Sequence, residues 1–496
     1  ARRRGGFAVL VVMALLSAAV LATYAVMRAQ ATAVQLSQNG ERMTAARDAA
    51  LTGLTMALAQ MHRTVEWGGV GGTYIETLSA NESFQASYTA GDPDLNSSHP
   101  DWELYPYRVT IDVTGTATDP LGSASVSTHD IRAVVQLQPT ALATEPTGWD
   151  DILQYTVWQG WSEDVQIELP FRVEGDVRVQ GAIDIANDQP DVEDARTRYL
   201  EDLEAMRHDG EADSRPFEGP LYISFAQQSP GTLDDLGVKL ALTLVDTPAE
   251  LPPTELMTEP SFSSYTTYQI YPGGPIYTVA SLSGTFTGVT YDVDPLSNPL
   301  GIVKKTGAMV LSNDVTIRGT LLCDNKVDVN GTNVVFAAVD MPPLYGTTDP
   351  VRIPTVLADD FWVDDGATGS LTGLVAVWDE YCAKQGTHNT TFPVIGHLLV
   401  RQLTIEKRDE WDAVNWQTWY DLFIFLNIQT APLKYFPKFM HLPPNSLEPV
   451  PKHTIAPDPS PVQYHWKNPA ASETIYVPRT EDVGLHWDVV RIEFDP

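Results

Sequence analysis

The stretch VQIELPFRVEGDVRVQGAIDIAND, residues 165–188, decides the fold class because its apolar residues recur every six positions. Val165, Phe171, Val177 and Ile183 hold position one, Ile167, Val173, Val179 and Ile185 hold position three, and Gly175 and Gly181 hold position five. Each six-residue unit, or hexad, predicts one short strand. The side chains at positions one and three of the hexad would point into the core, and a glycine would occupy the corner that follows the strand.

A second block, VTIRGTLLCDNKVDVNGTNVVFAA at residues 315–338, repeats the pattern. Its position-one residues are Val315, Leu321, Val327 and Asn333, its position-three residues are Ile317, Cys323, Val329 and Val335, and its glycines are Gly319 and Gly331. Stacked coils of this kind bury a core that no single coil could bury. We therefore expect a parallel β-solenoid over residues 141–410, with a helical insertion at 191–208 and further strands at 371–377 and 394–405. Antiparallel hairpins are the alternative.

The amino-terminal part carries an uncharged apolar segment, residues 7–27, after three arginines. As a helix it would be roughly 31 Å long, enough to cross a hydrocarbon core. The arginines keep the first residues cytoplasmic, so the bulk of the chain is exported. A cleaved signal peptide is the alternative, but its apolar region would be shorter.

Residues 28–63 continue the helix as an amphipathic segment with one apolar stripe. The stripe consists of Leu36, Met43, Ala50, Leu54, Ala57 and Met61. Residues 64–140 then predict a small β domain, since 107–115 and 125–137 read as strands separated by the turn sequence Asp119-Pro120-Leu121-Gly122.

Composition and charge limit the classes of function. The 496 residues suggest about three domains. The net charge is −33, although residues 1–63 hold seven arginines and only two acidic residues. An acidic field of this size disfavours nucleic acid as a partner.

The amino terminus resembles the class III prepilins, and more narrowly the PilX-type minor pilins and the K-subunit pseudopilins of type II secretion. Arg4-Gly5-Gly6-Phe7 before the apolar helix, and the run 39–53 within the amphipathic helix, carry this resemblance over about residues 2–140. It implies leader cleavage after Gly6, so that residues 1–6 are removed and Phe7 becomes an N-methylated terminus. It also implies a fibre or membrane helix that includes Val11, Leu15, Leu36, Met43, Ala50 and Leu54. Val11 stands where most pilins have glutamate, which favours a tip or initiating subunit.

Candidate chemistry is sparse. Acidic pairs occur at 359–360, 364–365 and 379–380, and Asp292-Val293-Asp294 resembles half of a calcium loop. In a chain with 64 acidic residues we interpret them as solvated surface groups and predict no metal site, cofactor or catalytic residue. Cys323 and Cys382 are interpreted as buried thiols, with a disulfide between them as the alternative in an oxidising compartment. The aromatic-rich residues 411–496 are interpreted as a cap on the solenoid.

These features predict a mainly β, non-enzymatic structural protein. It would be a minor-pilin-like or pseudopilin-like subunit, anchored in the inner membrane by its helix and presenting an acidic solenoid outside the cytoplasm. Its expected partners are other pilin or pseudopilin subunits and a surface glycan or protein ligand. The alternatives are a membrane-anchored β-helix lyase or hydrolase, and a cell-envelope scaffold that joins no filament.

Overall fold

The computed structural model shows a mostly β protein with one long amino-terminal helix, α1 (Gly5–His62). The residues that it describes are 5–63, 67–119, 125–138, 153–160, 163, 165–167, 172–185, 221–223, 244–245, 262, 265–343, 345–346, 348–385, 391–407, 454–459, 463–464 and 486–494. The predicted insertion at 191–208, Phe171, and the aromatic residues between 411 and 439 lie outside them.

The chain divides into two compact units. The first comprises residues 1–96, 107–137 and 484–496, and the second comprises 97–106 and 138–483. This differs from the expected boundaries in two places. The last strand belongs to the first unit rather than to a carboxyl-terminal cap, and residues 97–106, expected in the small β domain, belong to the second unit.

The first unit is a five-stranded sheet on the second half of α1. Its strands, in spatial order, are β1 (Thr73–Thr77), β2 (Glu82–Ala90), β3 (Arg108–Thr118), β4 (Val126–Gln138) and β28 (His486–Phe494). Strands β1 to β4 pair antiparallel, so the predicted hairpin between β3 and β4 is confirmed. A 3-10 helix, Trp102–Tyr107, precedes β3 along the chain.

Glycines let the sheet approach the helix closely. A Cβ atom on Gly115 of β3 would collide with the backbone of α1 at Ala46 and Ala50, and one on Gly53 of α1 would lie 2.6 Å from the Phe84 ring of β2. Because neither glycine carries a side chain, backbone and ring fill the interface directly.

The second unit contains many short strands. They are β5 (Val157–Gln159), β6 (Val165–Ile167), β7 (Arg172–Val173), β8 (Val177–Val179), β9 (Ile183–Ile185), β10 (Leu221–Ile223), β11 (Leu244–Val245), β12 (Thr267–Tyr268), β13 (Tyr277–Thr278), β14 (Ala280–Ser281), β15 (Thr290–Tyr291), β16 (Val303–Lys305), β17 (Met309–Leu311), β18 (Val315–Arg318), β19 (Leu321–Val329), β20 (Val334–Ala337), β21 (Asp340–Met341), β22 (Val351–Arg352), β23 (Val356–Val363), β24 (Gly369–Gln385), β25 (Val394–Lys407), β26 (Thr454–Ala456) and β27 (Gln463–Tyr464). Strands β12 and β13 pair with each other, and β21, β22 and β27 form a small sheet.

The remaining strands of the second unit form one large sheet of parallel pairs, arranged as three ladders. The first runs through β14, β16, 321–323, 356–358, 375–377, 398–400, β5, β8, β10 and β11. The second runs through Phe286, β17, 327–329, 361–363, 381–383, 403–405, β6 and β9. The third runs through β15, β18, β20, 369–372, 394–395, β26 and β7.

The chain visits the three ladders in turn. Val303, Met309 and Val315 stand on the first, second and third ladders, and Leu321 is back on the first, at six-residue steps. The order of the strands in space differs from their order in the sequence, because β5, the first strand of the second unit in the sequence, pairs with residues 398–400 of β25. Residues 398–400, which come late in the sequence, therefore lie in the middle of the first ladder. We call each strand segment of a ladder a rung.

The inward hexad positions form one apolar core shared by all three ladders. The predicted residues Val165, Val173, Val177, Val179, Ile183, Val315, Ile317, Leu321, Cys323, Val327 and Val329 are all buried in it. One prediction is wrong: Val334 and Phe336 are buried, whereas Asn333 is exposed and Val335 half-buried. Asn333 occupies a left-handed corner with φ of 61°, and seven residues instead of six separate the buried Val327 from the buried Val334.

Candidate functional site

Helix α1 is the feature on which the expected function depends. It is continuous from Gly5 to His62, and its apolar part has a mean hydropathy of 2.5, so it is long and apolar enough to span a membrane. Phe7, Val11 and Leu15 are exposed on it, with 74% of Phe7 accessible. The bond between Gly6 and Phe7 therefore lies in the first turn of the helix, next to an uncovered apolar surface.

The predicted stripe on the second half of α1 is covered only in part. Ala50 and Leu54 are buried under the sheet, as are Ala57 and Met61. Leu36 and Met43 are about two-thirds exposed, at 66% and 65%. The sheet thus begins to cover the helix near Ala46, and an apolar surface remains open on the residues before it.

A buried charge cluster joins three distant parts of the first unit. Asp92, two residues after β2, is 2% exposed and accepts a hydrogen bond of 2.9 Å from Nη1 of Arg108 on β3. Its other carboxylate oxygen lies 3.1 Å from Nη2 of Arg491 on β28. Sequence reasoning missed this cluster, because its members are far apart in the chain and belong to no spaced motif.

A second charged cluster lies on the outer side of the second ladder. The Lys326 ammonium stands 3.3 Å from the centre of the Trp362 ring and 3.7 Å from Asp328, and the Lys384 ammonium stands 4.3 Å from the same ring. Burial raises the pKa of Asp328, with a smaller contribution from Asp364. Each ammonium group is attracted to the face of the Trp362 ring, so the ring links side chains of three neighbouring strands, β19, β23 and β24.

Four of the carboxylates singled out in the sequence, those of Asp360, Glu380, Asp292 and Asp294, make local polar contacts. Asp360 accepts the backbone N–H of Glu380 at 3.1 Å, and Glu380 accepts the Thr404 hydroxyl at 2.6 Å. Burial also raises the pKa of Asp360. Asp294 accepts hydrogen bonds within its own loop, which lower its pKa, and Asp292 lies 3.3 Å from Arg318. Among the described residues, no group of three His, Cys, Asp or Glu side chains could hold a metal ion.

Both cysteines are buried and free. Cys323 lies on the first ladder and Cys382 on the second, so the disulfide considered from the sequence is not formed. Burial raises the pKa of Cys323 to about 11, which keeps this thiol protonated and unreactive near neutral pH.

Comparison with known proteins gives no match: no family model matches the chain, and no curated protein or solved structure is significantly similar to it.

Proposed function

We propose that the chain is a minor-pilin-like or pseudopilin-like structural subunit. The observation that carries the proposal is one continuous helix whose first half is apolar and uncovered and whose second half lies under an antiparallel sheet. An uncovered helix of this length needs lipid or other helices around it, since water would leave its apolar surface exposed. A subunit that is stored in a membrane and then transferred to a helical fibre is surrounded first by lipid and then by the helices of other subunits.

The second unit, in this proposal, is an acidic head whose three ladders form a three-sided β-solenoid. Chain passage from ladder to ladder at six-residue steps, and a single core shared by all three ladders, support that arrangement. The head would meet a surface ligand, whether glycan or protein, outside the cytoplasm.

An enzymatic head is less well supported. A lyase or hydrolase needs carboxylates or a base directed at a substrate. Asp360 and Glu380 instead accept hydrogen bonds from neighbouring rungs, and Lys326 and Lys384 lie against Trp362. These contacts favour a role in holding the rungs together.

The proposal predicts that the chain enters surface filaments or pseudopili and that Gly6→Arg prevents this. A bulky cation at the cleavage position would block leader removal and keep the helix anchored in the membrane. The measurement is the distribution of an epitope-tagged chain between the sheared surface fraction and the membrane fraction of cells with a prepilin peptidase.

Gly5→Ala is the matched control, because it changes the neighbouring glycine and preserves the cleavage position. Wild type and Gly5→Ala should appear in the sheared fraction, and Gly6→Arg should be confined to the membrane. A wild-type chain found only in the membrane fraction would favour an anchored scaffold and contradict the proposal.

A further inference from the structure

Strand β28 lies at the edge of the sheet of the first unit, since it pairs with β4 on one side and no strand follows on its other side among the described residues. It is nine residues long, contains no proline or lysine, and carries three charged residues, Asp488, Arg491 and Glu493. An edge strand of this length can act as a template for pairing with another chain, and its charged residues favour a partner strand of complementary charge.

The apolar side chains of β28 are exposed as well. Val490, Ile492 and Phe494 are 46%, 43% and 50% accessible, and they alternate along the strand, so they lie on one face. The Phe494 ring lies 6.0 Å from the guanidinium carbon of Arg47 on α1, which places this face beside the helix. The edge therefore combines a strand that has one neighbouring strand among the described residues with an exposed apolar row.

The sequence of β28 is complementary to itself in one antiparallel register. With the two-fold axis at Ile492, Val490 faces Phe494 of the second copy, Ile492 faces Ile492, and Arg491 faces Glu493. Both charge pairs are then opposite in sign, and Val490, Ile492 and Phe494 each meet an apolar residue. An axis at Arg491 would oppose two arginines, and an axis between Arg491 and Ile492 would oppose Val490 and Glu493.

We propose that β28 is an isologous pairing surface through which two copies of this chain associate, with the axis at Ile492. A two-fold interface uses the same patch on both copies, as this register requires. The contact is short and would be weak between free molecules. Attachment of both copies to one membrane would raise their effective concentration and favour it. The inference concerns the sheet edge and does not depend on the proposed function.

The test is disulfide trapping of the full chain in membranes with an Ile492→Cys variant. Opposed residues of an antiparallel pair have Cα atoms about 4.5–5.5 Å apart, within the range that a disulfide bridges. The natural cysteines are buried and do not compete. Ile75→Cys is the matched control, because Ile75 is 64% exposed on β1, the opposite edge of the same sheet.

Under mild oxidation Ile492→Cys should give several-fold more covalent homodimer than Ile75→Cys. Adding Glu493→Lys to Ile492→Cys should reduce the dimer more than adding Glu493→Gln, because both remove the ion pair with Arg491 of the same chain and only the lysine places a like charge opposite Arg491 of the second copy. Equal trapping of the two cysteine variants, trapping of Ile492→Cys to a different protein, or no greater effect of Glu493→Lys than of Glu493→Gln would each overturn the proposal.

Discussion

Replacing Gly396 by alanine should destabilise the second unit by at least about 3 kcal/mol. A Cβ atom there would collide with the carbonyl oxygen of Gly373 on the neighbouring rung, and the backbone cannot yield without moving a ladder. Gly396 also has φ of 141°, a conformation that side chains disfavour. Hydrogen exchange of β24 and β25 should report the loss as a marked fall in protection of both strands.

Gly284→Ala is the control for this variant. Gly284 has φ of 94°, and a Cβ atom there would meet nothing within 4 Å. Its replacement should cost only the backbone strain, about 1–2 kcal/mol. If the two variants lose the same free energy of unfolding, the close approach of successive rungs at Gly396 does not determine the stability of the second unit.

Replacing Asp92 by alanine should destabilise the first unit by about 3–5 kcal/mol, because it removes the buried carboxylate that pairs with the charge of Arg108. The Arg108 side chain is only 8% exposed, so water cannot replace the lost carboxylate. Arg491 would lose a partner too, and β28 should detach from the sheet before the other strands. Urea denaturation of the detergent-solubilised chain, followed by hydrogen exchange of β28 and β3, measures both effects.

Asp112→Ala is the matched control. Asp112 pairs with Arg132 at 2.7 Å, but the two side chains are 41% and 47% exposed. Water and salt screen such a pair, so its loss should cost less than about 1 kcal/mol. If Asp92→Ala costs no more than Asp112→Ala, the buried cluster does not hold the unit together.

The elements that sequence could predict are those set by local periodicity. The hexads place a strand and two inward residues wherever the period is kept, and Val315, Leu321 and Val327 lie in the core accordingly. The period failed at Asn333, because seven residues instead of six separate Val327 from Val334 and no apolar pattern reports the length of a corner. The uncharged segment and its amphipathic continuation likewise predicted one long helix.

Contacts between segments that are far apart in the sequence could not be predicted. Neighbouring rungs are expected to be neighbours in the chain, yet residues 157–159 pair with residues 398–400. In the same way β28 returns to the first sheet after the whole second unit. The Asp92 cluster depends on that return, so no local spacing could have indicated it.

Mass spectrometry of the amino terminus of the protein from its native membranes shows whether α1 is a processed pilin-like helix. We expect a mature chain beginning with N-methylated Phe7. A chain that retains the residues before Phe7, or one cut beyond the apolar segment, would contradict this expectation.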